Sequence, residues 1–202
     1  MSDWAQITIP DFDDMAILDD RVSVLVGRLI LERLPFAFEN KTQYLMWKDR
    51  LAMGIGVDAC DVYLIGSACT GRSLNPRNHF NTFKPGSDLD IAIVSPHRFD
   101  EAWHWFRTTN PNFLGLDKER KDLFDRHRDW NIFHGYVTSE YFLCYFSFGN
   151  DWLTHLQLCE ELLPKPLRGR AASIRIYRDA SSLRRHQMES LRLFRKYKGV
   201  ET

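Results

Sequence analysis

Apolar residues follow two different periods along this chain, and the switches between them mark its elements. Met15, Leu18, Val22, Leu25, Val26, Leu29 and Ile30 recur at helical spacing. This predicts one long amphipathic helix from Asp14 to the "LPF" segment, where Pro35 disfavours continuation. Residues 1–13 read as an irregular lead-in. A second helix is expected over 41–51, stopped by the glycines of "MGIG". "DVYLIG" (61–66) reads as a short buried strand entering a glycine turn, and "DLDIAIVS" (88–95) as another buried strand. Helices are expected over 100–107, over the charged stretch 117–130, and over 151–163 ahead of Pro164 and Pro166. The aromatic stretch 132–149 fits strand and helix equally. "SIRIYR" (173–178) alternates like a strand, and Ser181 or Ser182 is the expected cap of a last helix running toward Lys198. Without a repeat or a low-complexity linker, these elements make a single α+β domain over 1–202.

The chemistry concentrates between Leu64 and Pro96. Residues two apart on a strand project from the same face. Asp88 and Asp90 therefore stand side by side at the mouth of a strand whose Leu89 and Ile91 point into the core. Two adjacent carboxylates repel and are costly to bury unpaired, so a positive group belongs between them. With oxygen ligands alone, Mg²⁺ or Mn²⁺ shared with a substrate phosphate is the natural candidate. Gly66-Ser67 ends the preceding strand and offers free N–H groups, a hydroxyl and a helix start, a combination suited to phosphate. Either fragment alone is common in turns; their order and their strand settings make the pair informative.

"GSACTG" followed by "GSDLDIAIVS" resembles the signature of the DNA polymerase β-like nucleotidyltransferase superfamily, a GS, a gap and an (S)DxD before an apolar strand. The resemblance implies a small mixed β-sheet of the nucleotidyltransferase type flanked by helices, to which the residue pattern adds a long N-terminal and a basic C-terminal helix. It implies a nucleoside triphosphate such as ATP held by Gly66 and Ser67, with Arg72 and Ser87 assisting. Asp88 and Asp90 would be catalytic and hold two Mg²⁺ or Mn²⁺ ions. A hydroxyl on a protein, an RNA end or another nucleotide would attack the α-phosphate and release pyrophosphate. Family association also suggests antiviral defence or a toxin–antitoxin pair.

Two departures stand out. Ser67 and Asp88 are 21 positions apart, more than in compact family members, and the extra "LNPRNHFNTFK" reads as a loop that overhangs the site. Arg72, Arg77, His79 and Lys84 lie in or beside it, within reach of phosphates or as ordinary surface charges. The family also places a third carboxylate on a neighbouring strand. If Ile174 and Ile176 face the core, the opposite face of that strand holds Ser173, Arg175 and Tyr177, so the acid's place holds Arg175. Asp179 and Glu140 are the alternatives. A degenerate fold that binds a nucleotide or partner without turnover is therefore the second expectation.

Bulk properties add limits. With 44% hydrophobic and 27% charged residues, neither disorder nor a fibrous repeat is indicated. Lys+Arg and Asp+Glu both number 27, so attraction to nucleic acid needs a local patch. The C-terminal "SLRRHQMESLRLFRKYKG" supplies one, with Met188, Leu191, Phe194 and Leu183 expected to dock and Arg184, Arg185, Arg192, Arg195, Lys196 and Lys198 facing out. No apolar run approaches the roughly 18 to 20 residues that span a bilayer. The acidic start lacks the pattern of a signal peptide, and four scattered cysteines read as reduced thiols, so the expected location is cytoplasmic.

Overall fold

Alternation along four strands divides the apolar residues between the two faces of one sheet. The computed structural model describes residues 8–18, 20–138 and 141–200. Strands β1 (Val62–Ile65), β2 (Leu89–Val94), β3 (Tyr136–Thr138) and β4 (Ala172–Tyr177) form a mixed sheet in the order β1-β2-β4-β3. β2 runs antiparallel to β1 and parallel to β4, and β3 runs antiparallel to β4. Val62, Leu64, Leu89, Ile91, Ile93, Val137, Ile174 and Ile176 point to one face. There they meet α3 (Lys41–Ile55), α5 (Pro96–Thr108), α6 (Lys118–Arg126) and α7 (Gly149–Leu158) through Trp47, Leu51, Phe106, Phe124 and Trp152. Ile65, Ala92, Val94 and Tyr177 point to the other, against Phe12, Leu25, Val26, Leu29, Leu191 and Phe194. These come from α1 (Ile9–Ala16), α2 (Val22–Val26) and its π-helical extension Gly27–Leu31, and α8 (Ala180–Tyr197). The α+β class and the small mixed sheet expected from the sequence are both present.

The long N-terminal helix is not. It is two helices, and the first starts inside the stretch expected to be irregular. Thr8 and Asp11 form a reciprocal capping box there, with Pro10 in the first turn. The break has a local cause: the Asp20 carboxylate accepts the Arg21 N–H at 2.7 Å, while Arg21 is extended at φ −60°, ψ 125°. A side chain that bonds the next backbone N–H competes with the helix. A distant residue seals the gap, because Arg195 of α8 donates to the carbonyls of Ala16 at 3.1 Å and Leu18 at 2.8 Å. Arg195 is accordingly buried and does not belong to a basic outer face.

Boundaries elsewhere moved for similar reasons. Helix α3 runs past Gly54 to Ile55 and ends at Gly56, whose φ of 70° supplies the left-handed turn. Gly54 is kept small by the His155 ring of α7, which an added Cβ would meet at 2.3 Å. Asp179 caps α8, accepting the Ser182 N–H at 2.7 Å, in place of either serine. In the ambiguous 132–149 stretch only Tyr136–Thr138 pairs as a strand among the described residues. Phe142, Phe146 and Phe148 fill the core beneath α5 and α6 with no single period. His127, fully buried at the end of α6, fixes β3 in place. Its Nδ1 donates to the Leu123 carbonyl at 2.8 Å, and its Nε2 accepts from the Thr138 N–H at 3.0 Å. Burial depresses its pKa, which suits a ring that must keep Nε2 unprotonated to accept. Among the described residues no helix is long and apolar enough to cross a membrane.

Candidate active site

The cleft begins where β1 ends. Ile65 lies opposite Asp90 in the antiparallel register, so the residues that follow Ile65 meet the start of β2. Gly66 turns the chain at φ +64° and opens the short helix α4 (Gly66–Thr70). Its Cα is so close to Asp90 that an added Cβ would fall 2.3 Å from Oδ2. A side chain here would face both an unfavourable backbone angle and an occupied space. The N-terminus of α4 has no side-chain cap, and Ser67 beside it is half-buried. Two of its C-terminal carbonyls are satisfied from outside, by Phe36 N–H on Cys69 at 2.8 Å and Ala37 N–H on Ala68 at 2.9 Å.

Asp88 is exposed just ahead of β2, while Asp90 is about a quarter exposed, at 26%. Across the parallel pairing Asp90 faces Ser173, whose hydroxyl oxygen is buried with no hydrogen-bond partner among the described residues. One step further along the same face, Arg175 Nη2 lies 3.5 Å from Asp90 Oδ1. Behind Arg175 stands Tyr177, whose hydroxyl hydrogen-bonds with Arg175 and Gln187 and lies 2.7 Å from His186 Nδ1. Burial pushes the Tyr177 phenol up to about 12 and His186 down to about 4, the latter helped by the Arg175 charge. The His186 ring stacks on Tyr136 at 4.6 Å. With imidazole neutral, the Tyr177 hydroxyl donates to Nδ1 and braces Arg175 from the rear.

The extra loop forms the opposite wall. Ser73 N–H bonds to Asn81 and Phe83 N–H to Gly71, both at 2.8 Å, folding 71–83 back on itself. His79 and Phe80 take positive φ of 50° and 51°, and the strain is held by Phe80, which is buried against Phe194 and Tyr197. The expected overhang is present: Arg77, His79 and Lys84 line the cleft. Arg72 does not. Its Nε bonds Asp13 at 2.7 Å, its Nη1 donates to the Phe80 carbonyl at 2.7 Å, and its charge lies over the Phe194 ring. Arg72 therefore anchors the loop and is not placed to touch phosphate. Ser87 lines the cleft, but its hydroxyl closes a turn by accepting the Lys84 N–H at 3.1 Å.

The cleft is open to solvent on one side and has a volume of about 820 Å³. Among the described residues the carboxylates lining it are Asp88 and Asp90, against the cations Arg77, Lys84, Arg126 and Arg175. Such walls favour an anion, with the acids gathered at one spot within a cationic surround. Both carboxylates line the cleft, and hydroxyls of Ser67, Ser73 and Ser173 line it with them. That set fits a Mg²⁺ or Mn²⁺ ion, which takes one or two carboxylates, waters and substrate phosphates. Asp179 is spent on capping α8 and pairing with Arg178, and does not line the cleft. Glu140 lies outside the described residues.

The sequence reading missed the far wall. Tyr136, His186 and Gln187 have no motif, yet one signal was available. Gln187 interrupts the buried stripe Leu183, Leu191 and Phe194 of α8, and a polar residue in such a stripe is usually there to bond something. Lys198 is tied to Asp13 at 3.0 Å and Arg192 faces Glu189 at 3.5 Å, which leaves a smaller basic patch on α8 than expected. Comparison with protein-family models, with curated proteins and with solved structures finds no match to this chain.

Proposed function

We propose that this protein is a divalent-metal-dependent nucleotidyltransferase that moves a nucleoside monophosphate from a nucleoside triphosphate to a hydroxyl acceptor. One observation carries the reading. Asp88 and Asp90 stand two residues apart at a strand mouth and both line the cleft, with Asp90 packed against a Gly66 turn whose φ and space suit glycine, and among the described residues the other charges of the cleft are positive. Asp88 and Asp90 would hold Mg²⁺, which supplies charge neutralisation at the reacting phosphate. Gly66 and Ser67 hold phosphate oxygens through N–H and hydroxyl groups, and Arg77 and Lys84 neutralise the leaving end. The acceptor oxygen forms a bond to the α-phosphorus while the bond to the α–β bridging oxygen breaks. Pyrophosphate leaves with that electron pair, and the acceptor's proton passes to water.

Arg175 favours a second reading. It stands beside Asp90 where a third carboxylate would take the acceptor's proton, and a site so altered binds nucleotide without transfer. The test is incubation with each α-labelled nucleoside triphosphate and Mg²⁺ or Mn²⁺, beside the Asp88→Ala/Asp90→Ala double variant. Pyrophosphate release that needs both aspartates is expected, and the labelled product names the acceptor class. Aspartate-dependent nucleotide binding without release, across protein, RNA and nucleotide acceptors, would replace the first reading by the second.

A further inference from the structure

We propose that Arg175 is the counter-cation of a one-metal site: it holds Asp90 until a single divalent ion takes that carboxylate, then turns its charge to the triphosphate. The inference rests on the reading of Asp88 and Asp90 as the metal-holding pair. It goes beyond it by fixing the number of ions and giving Arg175 a part in binding.

The geometry supports this in three ways. First, Arg175 lies 3.5 Å from Asp90 Oδ1, so a fixed positive charge already occupies one side of the carboxylate. A second divalent ion on Asp90 would have to share the carboxylate with that guanidinium, whereas a single ion would be held by Asp88 together with Asp90. Second, among the described residues Asp88 and Asp90 are the carboxylates of the cleft, and the residue opposite Asp90 on β4 is Ser173, a set that suits one ion. Third, Arg175 lines the open space as well as facing Asp90, and Tyr177, itself buried and bonded to Gln187 and His186, holds it at the cleft floor between the two. A planar guanidinium with several donors suits a phosphate bridging that space.

The experiment counts ions. Mn²⁺ is titrated into the protein with and without Asp88→Ala/Asp90→Ala, and the free-ion resonance is followed by electron paramagnetic resonance. Wild type should hold one aspartate-dependent Mn²⁺ per chain. In parallel, tripolyphosphate, which carries the phosphates without a base, is titrated calorimetrically in Mg²⁺. Arg175→Ala should tighten Mn²⁺ and weaken tripolyphosphate, each by about tenfold, the order given by a unit charge about 6 Å from a divalent ion at a water-like dielectric. Arg175→Lys, which keeps the charge, should stay near wild type in both. A purely structural arginine would move both affinities in the same direction. Two aspartate-dependent ions per wild-type chain, or a weakening of both ligands by Arg175→Ala, would overturn the inference and leave the metal-site reading standing. No aspartate-dependent ion at all would remove that reading and the inference with it.

Discussion

Gly66→Ala tests the closest approach in the cleft, and its cost can be assembled from the structure. A non-glycine residue at φ +64° carries about 1–2 kcal/mol of backbone penalty. The new methyl would also meet Asp90, with Oδ2 at 2.3 Å, Cγ at 3.0 Å and Cβ at 3.1 Å. Oδ2 is the end of a side chain and will move, but moving it forces Asp90 off its rotamer and away from Arg175, about 1 kcal/mol more. The total is about 2–3 kcal/mol, and once the carboxylate is gone the backbone share and the milder contact with the residue-90 Cβ at 3.1 Å remain. Gly66→Ala should therefore cost about 1 kcal/mol less in an Asp90→Ala background than in wild type. The assay is urea unfolding of wild type, both single variants and the double variant, read by far-ultraviolet circular dichroism and tryptophan fluorescence. Coincidence of the two signals is the test that licenses a two-state free energy. Equal costs in the two backgrounds, within about 0.5 kcal/mol, would refute the contact between Gly66 and Asp90. The close approach of the Gly-Ser turn to the carboxylates would fall with it.

Two further outcomes probe the walls of the cleft. His186 is held near 4, below its unfolded value of about 6.5, so the neutral form is favoured by folding. Its contribution is complete above pH 6.5 and is lost as pH falls through that window toward 4, about 3 kcal/mol in all. His186→Asn should flatten this part of the stability–pH curve measured by urea unfolding, with His127 supplying the slope that remains; an unchanged curve would show that His186 is not buried as described. Arg72→Ala breaks a largely buried pair with Asp13 and should cost about 2–3 kcal/mol while opening residues 71–84 to limited proteolysis. A loss under about 0.5 kcal/mol, or a loop as protected as in wild type, would return Arg72 to the set of free surface charges.

The parts of the fold that were legible in the sequence are those where side-chain period alone decides. "DLDIAIV" alternates because Leu89, Ile91 and Ile93 enter one core and Ala92 and Val94 the other, and the same rule set Ser173, Arg175 and Tyr177 together on β4. Asp88, Asp90, Gly66 and Ser67 converge because two strand ends and one register place them, all local facts. What escaped depends on partners far along the chain. Nothing near Arg72 announces Asp13, and nothing near Arg195 announces the carbonyls of Ala16 and Leu18. Arg72 therefore read as a phosphate ligand, and Arg195 as part of a basic surface. The split of the N-terminal helix was written in Asp20, but the apolar spacing runs through the break and masks it.

The alternation on β4 also decides the charge the cleft presents. Ile174 and Ile176 must face the core, so Arg175 is delivered to the opposite face, and Tyr177 beneath α8 keeps it there. Counting Arg77, Lys84, Arg126 and Arg175 against Asp88 and Asp90, with histidines neutral, 4 − 2 leaves the described walls with two positive charges. On the proposed reading, one divalent ion would raise this to four, matching a triphosphate of about four negative charges once its terminal phosphate is fully ionised. A second divalent ion would overshoot, with its excess lodged beside Arg175. A third carboxylate in place of Arg175 would shift the walls by two charges, the value of one divalent ion. On the proposed reading, a base in place of an acid at this strand position would exchange a metal ion for a fixed guanidinium while keeping the cleft balanced for the same anion.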